Sequence, residues 1–305
     1  MASKNSLKDV FFALDDFRKI DEETLRWNGP HLGGPFFLKR LFGGTTFALS
    51  YLALKHMIPE ITVEKMQLNL FRPGDAEGAL DFSLVPSGSR TLFILTVLQK
   101  DKLIALARFR VIPSKQYLMK SKIKPWAQPT KPVSHYPILK NMRDMAPHPS
   151  VASISDRRFN NEWLFNLRPL DWNHFYGVDL SRKPVQTFLT LNKQEIGSNL
   201  ETLDPVAVLL MAADFMVFQS AKNVHKLGHR SDECVAGSTM NFIAYFHEID
   251  GFQAFDDFLV ESHLDSLGHS CAYLPGRIFD TKGRCLMTYS QESFISSGIF
   301  TDARL

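Results

Sequence analysis

A single carboxylate interrupts an otherwise apolar run. From Val206 to Phe218 the chain reads VAVLLMAADFMVF, and Asp214 is the one charged residue in it. Burial raises a carboxylate's pKa and so makes it a proton acceptor suited to neutral pH. Buried charges are uncommon and concentrate at functional sites, although a structural partner could equally satisfy this one. A second chemical feature is the glycine pair of RLFGG, Gly43 and Gly44, at the start of another apolar run. Glycines in a helix's first turn let a ligand oxygen approach the backbone N–H groups closely; a plain turn before a helix is the simpler reading. His225 and His229 have the i, i+4 spacing of a metal pair, but no Glu or Cys partner sits nearby. With Lys226 and Arg230 between and beside them they read as a solvated helix end. Cys234 and Cys271 lack ligand spacing and read as small buried residues. No GxSxG elbow is present, which argues against an α/β-hydrolase. With no P-loop or dinucleotide fingerprint either, no metal or cofactor is expected.

The elements that must hold these residues follow a repeated plan. After RLFGG comes TTFALSYLALKHM, apolar nearly all round and ending before Pro59. The Asp214 run opens on Asp204-Pro205, an N-cap followed by proline at the first helical position. A helix apolar on all faces must be buried on most of them. Each helix is followed by strand-like segments. The first set is EKMQLNLF, ALDFSLVPSG, TLFILTVLQ and KLIALARFRV. The second is TMNFIAYF, DFLVESHLD, SCAYLPGRIFD and RCLMTYSQESFI. Turn signals join pairs within each set, at Lys100-Asp101-Lys102 and at Asp280-Thr281-Lys282-Gly283.

Between the two sets, seven prolines from Pro113 to Pro149 alternate with lysines such as Lys115, Lys124 and Lys140. Proline removes a donor and fixes φ, so this stretch is neither a central strand nor a long helix. The organisation read from these patterns is an N-terminal unit (1–112), a Pro/Lys-rich linker (113–150) and a C-terminal unit (151–305). The expected class is α+β, an internal duplication in which antiparallel strands wrap a central helix twice. This is a double hotdog, two helix-wrapping sheets fused in one chain.

Composition narrows the function classes. Of 305 residues, 45% are hydrophobic and 22% charged, a profile that sets disorder and fibrous classes aside. The 25 phenylalanines suit a bulky core or an apolar tunnel. A formal charge of +3 without clustered basic residues argues against nucleic acid. No apolar run reaches the length of a membrane span, and the N-terminus lacks the pattern of a secretory signal. Three cysteines without a CxxC pair fit a reducing compartment.

Four motifs in order carry a resemblance. RLFGG at the first helix, LFRPGD (Leu70 to Asp75), STMNFIAYFH, and the tail GRIFDTKGRCLMTYSQESFI together resemble the acyl-CoA thioesterase II family. The resemblance runs from about Phe12 to Ile295 and is loosest in the linker. It implies a catalytic Asp at Asp214, a catalytic Thr at Thr239 and a catalytic Gln at Gln291. It also implies an acyl-CoA substrate. The chain departs from the family's usual pattern at Thr45, usually Gln. It departs again at Asn241-Phe242, usually Asp-His, and at Cys271-Ala272, usually Arg-Gly. These departures bear on substrate binding.

The chemistry so implied needs no covalent intermediate, because a thioester carbonyl is already activated. A positioned water, a proton acceptor and oxyanion donors suffice. Thr239 and Gln291 each offer both a donor and an acceptor and could orient that water beside Asp214. Gly43 and Gly44 are the candidate oxyanion or acyl-CoA contacts. The competing reading is a diverged double hotdog that holds acyl-CoA or a lipid without cleaving it. The terminal Ala303-Arg304-Leu305 resembles the peroxisomal tripeptide of the SKL type, which implies a peroxisomal import receptor as partner. A homo-oligomer stays open, as does chain-length preference.

Overall fold

The computed structural model describes residues 14–29, 40–112 (except 77 and 86), 122–140, 164–175, 179, 183–193, 203–215, 217, 220 and 235–297 (except 269). His225, His229, Cys234 and the terminal Ala303-Arg304-Leu305 lie outside these residues. Two helices of more than one turn are described, α1 (Gly43–Met57) and α2 (Pro205–Phe215). The expected Asp-Pro start of α2 is realised: the Val206 N–H donates to Asp204 Oδ1 at 2.8 Å. Every residue of α1 from Gly44 to Leu54 is buried, and so is every residue of α2 from Val206 to Asp214. No face of either helix meets solvent over those stretches, as their all-apolar sequences require.

The two helices pack on each other, and one sheet encloses both. The N-terminal strands are β1 (Phe17–Lys19), β2 (Thr24–Trp27), β3 (Thr62–Leu70), β4 (Leu80–Val85), β5 (Leu92–Gln99) and β6 (Lys102–Ile112). The C-terminal strands are β7 (Phe165–Pro169), β8 (Val185–Leu191), β9 (Val235–Phe246), β10 (Phe258–Ser262), β11 (Ser266–Gly268), β12 (Cys271–Asp280) and β13 (Cys285–Ser297). The order across the sheet is β1-β2-β4-β5-β6-β3-β9-β13-β12-β10-β8-β7, with β11 pairing β12. Counted outward from the centre, both halves run in the same sequence. With β11 set aside, the first strand after the helix comes first, then the last strand, the one before it, the strand before that, and the two strands that precede the helix.

The two expected strand sets are fused at the centre of this order. β3 and β9 pair antiparallel from Lys65↔Tyr245 to Asn69↔Asn241, which joins the two strand sets into one continuous sheet. The reason is the alternation in both strands. Each turns apolar residues inward, Met66 and Leu68 on β3 and Phe242 and Ala244 on β9, so the edges match in phase. The β5–β6 hairpin turns at Lys100 and Asp101, both at positive φ (50° and 59°), the geometry of a two-residue turn. Cys285 is buried but Cys271 is exposed, against the expectation of burial, because alternation along β12 turns it outward, opposite to the buried Ala272.

Residues 122–140 cross the outer face of the C-terminal strands. Leu259 and Glu261 face out from β10, opposite to Phe258 and Val260. Above Leu259, Tyr136 joins Phe188, Phe279 and Cys285 in a small second core. The Trp126 N–H donates to both oxygens of Glu261 (3.0 and 3.3 Å), and Arg277 lies over the Trp126 ring at 4.0 Å.

Candidate active site

Asp214 comes at the C-terminal end of α2, against the N-terminus of α1. The Gly44 N–H donates to Asp214 Oδ2 at 2.8 Å. Both glycines are required by this approach. A Cβ on Gly43 would come within 2.7 Å of Asp214 Oδ2, and one on Gly44 within 2.9 Å of the Met211 Cα. The first-turn N–H groups of a helix have no intrahelical partner and carry its positive end. Here that end addresses a carboxylate of the protein itself. Of the two candidate oxyanion contacts, Gly43 and Gly44, the Gly44 N–H is engaged by Asp214.

The other oxygen, Oδ1, receives hydrogen bonds from two strands. The Thr239 hydroxyl on β9 donates at 2.8 Å, and the Gln291 amide on β13 donates at 2.9 Å. Gln291 Nε2 also lies 2.5 Å from the Thr239 hydroxyl and 3.3 Å from that of Ser293. Gln291 Oε1 is buried and has no partner among the described residues. Thr239 is 8% exposed, Asp214 5% and Gln291 not at all. Asp214, Thr239 and Gln291, 77 residues apart at the extremes, thus form one hydrogen-bonded cluster.

Strand alternation explains Gln291 but not Thr239. On β13, Met287, Tyr289, Gln291, Ser293 and Ile295 all face inward. On β9, Phe242, Ala244 and Phe246 face inward, so Thr239, at an odd separation, should face out. A β-bulge reverses this. Glu292 pairs with Asn241 and Ser293 with Thr239, leaving Met240 as the extra residue. One inserted residue flips the phase of everything before it and turns Thr239 toward Asp214. No pattern read from the sequence marked this bulge.

Burial is the largest influence on Asp214 and pushes its pKa up. The hydrogen bonds from Thr239, Gln291 and Gly44 pull it back. The result is a carboxylate that holds a proton more readily than an exposed one and still accepts three donors.

The departures fall into distinct places. Thr45 is buried in the first turn of α1, its hydroxyl without a partner among the described residues. Phe242 pairs with Gln291 across the strands and stacks on Phe47 of α1, ring centroids 4.1 Å apart and planes 15° from parallel. Asn241 faces the outer side, where its amide donates to Glu292 at 3.4 Å. Ala272 is buried opposite Ser293. Ser293 itself was missed by the reading, although its place two residues after Gln291 puts it on the same face. Glu261 was missed too: burial holds its pKa up at about 7, despite donors from Trp126 and Gln186 and the nearby Arg277. Among the described residues no group of three His, Cys, Asp or Glu side chains could hold a metal.

Residues 169–295 match the family model of the acyl-CoA thioesterase C-terminal domain, a segment that contains Asp214, Thr239 and Gln291. No curated protein matches the sequence. Among solved structures, the tesB protein of Mycobacterium avium subs paratuberculosis is 16% identical with a TM-score of 0.66, over 95% of this chain and 100% of that one. The acyl-CoA thioesterase II TesB2 of Mycobacterium marinum is 14% identical with a TM-score of 0.68, over 95% and 99%. A conserved protein with a hot dog fold from Alicyclobacillus acidocaldarius is 15% identical with a TM-score of 0.68, over 95% and 98%. At such identity these structures speak to the fold, which is of the hotdog type. Residues 169–295 are thus similar to the C-terminal domain of acyl-CoA thioesterases.

Proposed function

We propose that this chain is a member of the acyl-CoA thioesterase family and hydrolyses fatty acyl-CoA to free fatty acid and CoA, with Asp214, Thr239 and Gln291 activating the water. One observation carries the reading. A buried carboxylate, a hydroxyl and an amide from a helix and two strands meet at 2.8 and 2.9 Å. The matched strand order of the two halves supports a double hotdog, one unit in residues 1–112 and the other in 151–305, joined by the 113–150 segment.

The attacking water donates one O–H to Gln291 Oε1, the acceptor that no described residue satisfies, and the other to Asp214. Its oxygen bonds to the thioester carbonyl carbon while the proton passes to the carboxylate. The tetrahedral oxyanion then re-forms the carbonyl, the carbon–sulfur bond breaks, and the CoA thiolate takes up the proton held by Asp214. Burial raises Asp214's basicity for the first step. Because Asp214 engages the Gly44 N–H, oxyanion stabilisation falls to the other first-turn N–H groups of α1, including that of Gly43.

The test is CoA release, followed by thiol titration, from acyl-CoA of several chain lengths. Release by the wild-type chain supports the reading. A second reading, binding without cleavage, is favoured by the engaged Gly44 N–H and by Phe242 beside Gln291. Saturable acyl-CoA binding with no thiol released at any chain length would establish that second reading.

The site of action proposed is the peroxisome, with Ala303-Arg304-Leu305 bound by the import receptor. Punctate fluorescence of an N-terminal fusion, lost on removing Leu305, supports it; an unchanged distribution contradicts it.

A further inference from the structure

A buried hydroxyl close to the cluster takes no part in the chemistry above. Tyr289 lies on β13 two residues before Gln291, on the same inward face and about 7 Å along the strand. Its residue is 4% exposed, and its hydroxyl has no partner among the described residues. The ring lies across Gly276, its cross-strand partner on β12; a Cβ there would come within 2.2 Å of the Tyr289 Cζ. On the other side the ring meets Phe242, centroids 6.0 Å apart, and Phe242 is in turn stacked on Phe47. The ring is therefore held from two sides, and the direction of its hydroxyl is set by packing.

Packing alone would be met by phenylalanine, in a chain that holds 25 of them. A buried hydroxyl with no partner costs free energy that phenylalanine would not. Burial, with Glu261 and Asp214 adding to it, keeps the phenol protonated, so it is available as a donor. Near Gly276 the surroundings are polar in a second way. Ser262, paired with Gly276, shares a hydrogen bond of 3.0 Å with Ser220. Val217 and Ser220 follow Asp214 at intervals of three residues, and both are buried. Ser220 also donates to the Val217 carbonyl at 3.1 Å, beside the apolar cluster of Val217, Ala272, Leu274 and Ile295.

We propose that the acyl group hydrolysed at this site carries a hydroxyl or oxo oxygen several carbons from the thioester, and that the Tyr289 hydroxyl binds that oxygen. The proposal rests on the thioesterase reading and names its substrate class. A plain hydrocarbon chain would leave the hydroxyl unsatisfied in the complex. An oxygenated chain restores the missing bond, and sites built this way discriminate strongly against analogues lacking the group.

The experiment compares kcat/KM for saturated acyl-CoA of one length, unsubstituted or with a hydroxyl or oxo group at successive carbons. Wild-type protein prefers an oxygenated substrate at one position of the series. In Tyr289→Phe the ratio of kcat/KM for that substrate over the unsubstituted one falls about tenfold, the worth of one hydrogen bond to substrate. A wild-type ratio at or below one for every substituted chain overturns the proposal while leaving the thioesterase reading intact, and it does so even if the variant fails to fold. An unchanged ratio in a folded Tyr289→Phe also overturns it. Release of CoA from none of the series would sink the thioesterase reading and this inference together.

Discussion

The Gly44 N–H and the Asp214 carboxylate meet at 2.8 Å although 170 residues separate them. The contact joins the start of one central helix to the end of the other. It gives each half of the chain a share in the site, since α1 contributes the backbone donor and α2 the acid. The space for it exists because residues 43 and 44 have no side chains.

Gly43→Ala should therefore act on the chemistry more than on the fold. Its methyl would fall 2.7 Å from Asp214 Oδ2 and push the carboxylate off its donors. Activity should drop about a hundredfold, as expected for misplaced catalytic groups. Gly44→Ala should instead destabilise the protein by about 1–3 kcal/mol, because its methyl meets the Met211 backbone at 2.9 Å. Thermal unfolding and CoA release measured on both variants separate the two effects.

The bulge at Met240 gives a second expectation. Deleting Met240 would leave Thr239 two positions before Phe242 and should restore regular pairing beside Glu292 and Ser293 with Thr239 still facing inward. Thr239→Val removes the hydroxyl without moving the strand. The valine variant should lose activity about 10- to 100-fold, the usual loss for one polar group in a site, and the deletion should cost less. Full activity in Thr239→Val would mean that the hydroxyl has no role.

The same elements show how far the sequence could be read. The two central helices and eight of the strands were legible because their apolar patterns have a clear period or none, and Asp204-Pro205 marks a start by local chemistry. Asp214 stood out as a charge among apolar residues. Thr239 and Gln291 were reached only by resemblance, since a Thr or Gln in a strand has no signature of its own. The bulge, the Gly44–Asp214 bond and the register of β3 on β9 were not legible. Each depends on how distant segments meet, and no local preference encodes that. The strands that precede each helix, β2 and β8 among them, were passed over beside the stronger helix signals.

Two carboxylates give pH dependence of known sign. Glu261 has a pKa near 7 in the folded chain, against about 4.3 for an unperturbed glutamate. The folded state binds its proton more tightly, so stability contributed by this group is full below about pH 4 and declines as pH rises toward 7. Unfolding followed across pH 4–8 should show that decline, flattened in Glu261→Gln. Asp214 is shifted in the same direction by its burial. In the proposed mechanism Asp214 acts in its ionised form, so kcat/KM should fall on acidification at a pH above the usual aspartate range. A profile whose acid limb lies at or below that range would contradict the assignment.

The strap over β8, β10 and β12 depends on Arg277. Its guanidinium covers the Trp126 ring at 4.0 Å and donates to the Lys124 carbonyl at 3.1 Å. Arg277→Ala should loosen residues 122–140, seen as faster hydrogen exchange and earlier proteolysis there. A stacked cation of this kind contributes about 0.5–2 kcal/mol. Unaltered exchange in that segment would show that the Glu261 contacts hold it alone.

The most direct measurement is CoA release by purified wild-type protein beside Asp214→Asn and Gln291→Ala, with circular dichroism to confirm that each is folded. Wild-type protein should cleave at least one acyl-CoA in the panel. The two variants should fall by about two to three orders of magnitude while keeping the wild-type spectrum, the loss typical of removing a proton acceptor or a positioned donor. Folded variants that match the wild-type rate on every substrate it cleaves would contradict the account.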